Sequence, residues 1–461
     1  MKVMSLSIAL CLGGAMFASA AAPSLPLKLT DETEAEKAER MAWWTHDRFG
    51  MFIHFGLYAM PARHEWVRSY EAIENEEYDE KYFPRFNPDL FDAREWAKAA
   101  KKAGMKYIVL TTKHHEGFCL WDTKTTDYKI TNTPFKRDLV REYVNACREE
   151  GLKVGFYFSV IDWHHPDYTI DLHHPLFTKL DRAGFKGDDL KAEVDKLNAK
   201  RDMNRYREYL FAQVKELLTD YGKIDIIWYD FTPQHPVFGK DWTAWNAVEL
   251  VKLTKKLQPH IIIDDRLGLK ETDDGWDFTT PEQVVVTERP KVRGKDAYWE
   301  TCQTFSGSWG YHRDQASWKN VHQLLELLIR SVAFGGNLIM NVGPTGRGEF
   351  DYRAKERLRG YEEWMHYNSR SIYGCGEAPK GIEAPKDTLL TYDKATGRLY
   401  VHLLKYPENG MLPLPFIDKV DYAQFLHDAS ELPRKDDSLL LPKQKPVIEI
   451  PVIEIWLKED K

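Results

Sequence analysis

Over roughly 300 residues, short apolar runs rich in Val, Ile and Tyr alternate with stretches whose apolar side chains recur every three or four positions. The runs are Met51–Phe55, Tyr107–Thr111, Val154–Phe158, Ile224–Asp230, His260–Asp264 and Leu338–Val342. Between them lie helical patterns such as Met203, Tyr206, Leu210, Val214 and Leu217. Asp92–Ala103 and Asp138–Glu150 also read as helices, each opening on an acidic residue and closing before Gly104 or Gly151. Strand–helix–strand repetition on this scale implies a parallel sheet. The strand ends favour a closed barrel over an open sheet. They carry His54, Lys113 to His115, Tyr157, Asp230, Asp265, Arg266 and Asn341, and a barrel brings such ends to one face. The strand signal weakens between Asp264 and Leu338, so an irregular (β/α)8-like barrel is expected.

Three segments follow. Residues 1–22 read as an export signal: Lys2, a mostly apolar run from Leu6 to Phe17, then Ala18-Ser19-Ala20. That run is shorter than the ~20 residues of a membrane span, and no second span follows, so a secreted or periplasmic protein is expected. Residues 23–373 hold the barrel, within which 162–200 reads as an extended, charged loop. Residues 374–461 read as a small antiparallel β-sandwich. Thr388–Tyr392 and Leu399–Leu404 flank a turn at Lys394-Ala395-Thr396-Gly397, and Val447–Trp456 alternates apolar with acidic residues.

A net charge of −7 with no long basic run argues against a nucleic-acid or anionic-membrane partner. Aromatic residues reach 13%, with 15 Trp, which suits both a large core and a sugar-binding cleft. Cys119, Cys147, Cys302 and Cys375 fit neither a zinc knuckle nor a dense disulfide framework, and are expected as small buried hydrophobes. Adjacent His114 and His115 point apart on extended backbone and there is no His-Glu-x-x-His, so no metal or cofactor is expected. Asp230, ending the apolar run Ile226-Ile227-Trp228-Tyr229, is either a solvated strand cap or a catalytic carboxylate.

An ordered set of motifs spans residues 40–370. It comprises Phe52-Ile53-His54-Phe55-Gly56, Glu65-Trp66, Leu110 to Phe118, Lys136-Arg137-Asp138-Leu139, Trp228-Tyr229-Asp230, Trp299-Glu300-Thr301-Cys302, Ser308-Trp309-Gly310-Tyr311 and Asn341-Val342-Gly343-Pro344. The set resembles the α-L-fucosidases of glycoside hydrolase family 29. The resemblance implies an exo-acting retaining hydrolase acting on fucosylated oligosaccharides or glycoconjugates. It puts the nucleophile at Asp230 and the sugar-gripping groups at His54, Glu65, Trp66, His114, His115, Tyr157 and Arg266. Phe52, Trp228 and Trp309 would wall the C5 methyl of fucose. Phe55 stands where the family often has Trp, another apolar ring. The acid/base falls on Glu282, sixteen residues after Arg266 on an expected loop above the barrel mouth, or on Glu300, within an expected strand. Glu282 is favoured, because a loop acid can reach the leaving oxygen from the aglycone side. Two other readings are a galactoside-accepting exo-glycosidase and a silent carbohydrate-binding protein. Paired carboxylates argue against the latter, and an apolar methyl wall against the former.

Overall fold

Alternation with period two sorts each strand's side chains between the inside of a curled sheet and a surrounding helix layer. The computed structural model describes residues 25–458. Its main sheet contains β1 (Phe49–Ile53), β2 (Tyr107–Lys113), β3 (Lys153–Ser159), β4 (Ile226–Asp230), β5 (Ile262–Ile263), β6 (Glu300–Thr304) and β7 (Asn337–Val342). The strands are all parallel and lie in the order β5-β4-β3-β2-β1-β7-β6. Met51, Ile53, Ile108, Leu110, Phe156, Phe158, Ile227, Tyr229 and Met340 join the helix-side core. Phe52, Tyr107, Val109, Tyr157, Ile226, Trp228, Cys302 and Ile339 form a separate interior cluster. Met41 and Trp44 of the helix Glu34–Asp47 belong to that cluster and plug the end where the strands begin.

The weak strand signal after Asp264 has a structural counterpart. Segment 277–283 joins the two sheet edges by single bridges, Asp264 to Phe278 on one side, Thr279 to Trp299 and Glu282 to Cys302 on the other. Pro281 can donate no ladder hydrogen bond, which keeps the pairing irregular. Asp277 anchors the segment. Its carboxylate accepts from Arg40 Nη2 (2.7 Å), Lys255 Nζ (3.0 Å) and the backbone N–H of Ile263 (2.8 Å).

Two expectations are corrected. Stretch 162–200 contains the helices Pro175–Arg182 and Gly187–Asn198. Pro175 begins the first, His174 caps it, and Ile170, Leu190 and Val194 pack with Leu176, Leu180 and Phe238 into a satellite core. The last strand occupies only Val452–Leu457, because Pro451 ends the possible ladder on its N-terminal side. Around it the C-terminal region forms an antiparallel sheet in the order Cys375–Gly376, Thr388–Asp393, Arg398–Leu403, Val452–Leu457, Val420–Phe425. A three-stranded antiparallel sheet shares its core, with Leu412 and Leu439 meeting Leu399, Val401, Ile453 and Ile455. The opposite face sends Leu389, Tyr400 and Val452 into the barrel-side core. The four cysteines named above are buried, and among the described residues none is paired. Among the described residues no helix is long and apolar enough to cross a membrane. Residues 1–22, expected as an export signal, lie outside them.

Candidate active site

The inward-facing rows of β1, β3, β4 and β7 end on His54, Ser159, Asp230 and Asn341, so strand period alone converges these polar groups at one mouth. A small pocket opens there, half exposed to solvent. Its wall includes Phe52, His54, Trp66, His114, His115, Tyr157, Trp228, Asp230, Arg266, Glu282 and Trp309, all expected from the sequence, together with Phe231 and Cys302.

Asp230 is buried, and its two oxygens have different partners. Oδ2 accepts from Tyr157 OH at 2.8 Å and Oδ1 lies 3.2 Å from Arg266 Nη1. Burial raises its pKa to about 6, against the opposing charge of Arg266 and with a further push from Glu282. Arg266 also holds Glu282, Nη2 to Oε2 at 2.8 Å, and lies over the Trp228 ring at 4.5 Å. Its Nε donates to Thr280 Oγ1, whose own hydroxyl donates to Asp265. One guanidinium therefore orients both carboxylates, and the closing segment orients the guanidinium.

The tautomers of His54 and His115 are fixed from behind. Asn341 Nδ2 donates to Trp309 O at 2.7 Å, so its Oδ1 accepts from His54 Nδ1 at 2.7 Å. Ser159 Oγ donates to Ile161 O and accepts from His115 Nδ1, both at 2.7 Å. In each ring Nε2 is then left as an acceptor for an incoming hydroxyl. His115 Nε2 stands 3.9 Å from Asp230 Oδ2. Burial drives His54 down to about 3 and holds His114 and His115 well below the usual histidine range. Among the described residues no group of three His, Cys, Asp or Glu is placed to hold a metal ion.

Phe52 lies edge-on to Trp228 (5.2 Å) and Trp309 (6.1 Å), giving a continuous apolar wall. The indole N–H of Trp309 donates to Glu282 Oε1 at 3.1 Å. Glu65, expected on the sugar, is buried behind this loop. Its Oε2 accepts from the backbone N–H groups of Trp309 (3.2 Å) and Gly310 (2.7 Å). Gly343 lets the loop approach, since a Cβ there would lie 2.7 Å from Trp309 O. Phe55 faces the helix layer, against Phe86 and Trp96, and is not part of the pocket wall.

The two candidate acids separate by layer. Glu282 bridges Cys302, which lines the pocket, and its side chain is 41% exposed. Glu300 lies two residues before Cys302 on β6, one inward layer or roughly 7 Å deeper. It is fully buried, bonded by Tyr107 OH, and burial raises its pKa to about 8. Sequence reasoning gave no role to Phe231, Ser159 or Thr280. Phe231 directly follows the strand-end carboxylate and Ser159 ends β3, so strand position was the available signal; Thr280 had none.

Two carboxylates on one guanidinium, at the C-terminal mouth of a parallel barrel and faced by imidazoles and aromatic rings, are an arrangement that glycoside hydrolysis can use. The chain belongs to the alpha-L-fucosidase family, glycoside hydrolase family 29, whose model matches residues 17–370. It is similar to alpha-L-fucosidase isoenzyme 1 of Paenibacillus thiaminolyticus, with 42% identity and a TM-score of 0.82 over 92% of this chain and 100% of that one. A Bacteroides thetaiotaomicron alpha-L-fucosidase, solved as a trapped covalent intermediate with 2-fluoro-fucosyl fluoride, shares 28% identity over 95% of this chain and all of its own, at a TM-score of 0.77. Human tissue alpha-L-fucosidase is 28% identical over 394 residues, 81% of this chain and 77% of its own. The protein is thus a hydrolase of the alpha-L-fucosidase type.

Proposed function

We propose that the protein is an exo-acting, retaining α-L-fucosidase that removes terminal α-L-fucose from oligosaccharides or glycoconjugates, with Asp230 as nucleophile and Glu282 as acid/base. The observation that carries this is Arg266 holding both carboxylates at the pocket mouth, while Glu300 lies one layer below. Asp230 attacks the anomeric carbon as the glycosidic C–O bond breaks, and Glu282 passes its proton to the leaving oxygen. Water, deprotonated by Glu282, then attacks the fucosyl–enzyme bond and frees the Asp230 carboxylate. The covalent intermediate trapped in the Bacteroides relative supports the two-step course. His54 and His115 accept sugar hydroxyls at Nε2, and Phe52, Trp228 and Trp309 supply an apolar wall for the C5 methyl, where a galactoside would need a polar partner.

Azide rescue tests the acid/base. Glu282→Ala should keep fast glycosylation by an aryl fucoside with a good leaving group, stall at deglycosylation, and recover turnover with azide as α-fucosyl azide forms. Rescue confined to Glu300→Ala refutes the assignment. Proton NMR of the first product should show the α anomer, and an initial β anomer rules out retention. The signal-like residues 1–22 support export, which N-terminal sequencing of the protein from a periplasmic or culture fraction tests.

A further inference from the structure

At the opposite end of the barrel from the pocket, the C-terminal sheet presents one face whose character changes along the strands. Cross-strand registers place Leu389, His402 and Val452 in one row, Tyr400, Glu454 and Gln424 in the next, and Arg398, Trp456 and Tyr422 in the last. In the first row Leu389 and Val452 belong to the barrel-side core and His402 is buried. Of the other two rows, Tyr400 also packs into that core, while Gln424, Glu454, Arg398 and Trp456 line an open groove whose far bank is formed by His46, Ser369, Arg370 and Tyr373.

The lining of this groove is aromatic and evenly charged. Trp456 is half-buried, with the Arg398 guanidinium 4.2 Å from its ring and Tyr422 edge-on at 5.3 Å. Glu454 at the floor is only 3% exposed. Both of its hydrogen bonds go to Oε2, from Arg370 Nη2 (2.7 Å) and Gln424 Nε2 (2.9 Å). Among the described residues Oε1 has only Arg398 Nε, at 4.0 Å. A nearly buried carboxylate with one oxygen free, set among amide and guanidinium donors, can take sugar hydroxyls, and the half-buried indole, one face of which Arg398 covers, adds an apolar surface beside it. Arg370 and Arg398 balance Glu454 and Asp393, so the groove offers no net charge to an anionic polymer.

We infer that this groove binds a neutral oligosaccharide, and anchors the enzyme to an extended glycan by a site separate from the catalytic pocket. The sugar class rests on the proposed fucosidase activity, whereas the groove itself does not. A site at the far end of the barrel cannot help a short substrate into the pocket. On a long or branched glycan it raises the local concentration of cleavable ends.

The test uses the full chain with free fucose saturating the pocket, and fucose-free lacto-N-tetraose and cellotetraose as probes, followed by saturation-transfer NMR and calorimetry. At least one probe should bind, and Trp456→Ala and Glu454→Gln should each weaken it on the order of tenfold. Turnover of an aryl fucoside should stay unchanged in both variants, which separates failure of the groove from failure of the fucosidase reading. Binding of neither probe overturns the inference, as does binding indifferent to both substitutions. So does a change of oligomeric state in Trp456→Ala with sugar binding intact, which would make the groove a contact between copies of the chain.

Discussion

The two ends of the barrel treat buried carboxylates in opposite ways. Where the strands begin, Asp277 is matched completely, by Arg40, Lys255 and a backbone N–H, and these partners hold its carboxyl well below the usual range. Where the strands finish, Asp230 has a phenol and one guanidinium, and burial pushes it up to about 6. The matched end spends its charges on closing the barrel. The unmatched end keeps open valences, on Asp230 and on the Nε2 atoms of two neutral histidines, for a ligand to fill. Under the proposed mechanism this difference decides which carboxylate can attack: one surrounded by cations is a poor nucleophile, and one held by a single shared guanidinium keeps its reactivity.

The sharpest break of this contrast is Asp230→Ala. It should lower aryl fucoside turnover on the order of 10³-fold or more with an unchanged melting curve. Near-normal turnover would remove Asp230 from the chemistry. Next, His54→Ala, His115→Ala and Arg266→Ala should each cost roughly 10²–10³-fold in kcat/KM, because each leaves a buried partner unpaired. Silence in all three would place the pocket elsewhere.

At the other end, Asp277→Ala should cost about 3–5 kcal/mol of stability, since it strands buried cations, while the folded fraction keeps its turnover. Denaturant unfolding alongside active-site titration checks both halves. The depressed Asp277 pKa contributes stability that is present above the unfolded carboxyl value and lost as pH falls through the folded one. The variant should therefore lose less stability in acid than the parent.

A pH profile refines the comparison further. Below about pH 6 the free enzyme holds Asp230 protonated, so kcat/KM should fall on the acid side of that value. Removing the Arg266 charge, which lowers the Asp230 pKa, should move that limb to higher pH. An unmoved limb in Arg266→Ala would assign it to another group. The smallest effect belongs to Glu300→Gln. Its raised pKa of about 8 means the folded state keeps a proton that the unfolded state loses above about 4.5. The parent should thus lose stability as pH climbs through that interval, and the Gln variant less so, with activity within a few-fold of normal. A collapse of activity would return Glu300 to the site.

The barrel and most of the pocket were legible because they rest on local rules. Period two sends Trp228 and Asp230 inward together, and the strand ends announced His54, His115 and Asn341 in their own sequence positions. The C-terminal hairpin was likewise written in its turn, whereas the helices within 162–200 were hidden, since their apolar residues are few and find Phe238 only in the folded chain.

Glu282 and Glu300 show where sequence reading stops. Both are carboxylates among aromatic neighbours, and spacing along the chain cannot tell a mouth from a floor. Register decides: the bridge from Glu282 to Cys302 sets one at the pocket, and the two residues from Cys302 to Glu300 set the other a layer below. Glu65 makes the same point, because only the packing of the Trp309 loop turned its carboxylate toward backbone N–H groups. The sequence by itself determined which residues face inward, through a periodicity each strand carries alone. Depth and partner were decided by the tertiary structure, because they depend on how distant segments align, and that alignment is fixed by the burial and pairing of the whole sheet.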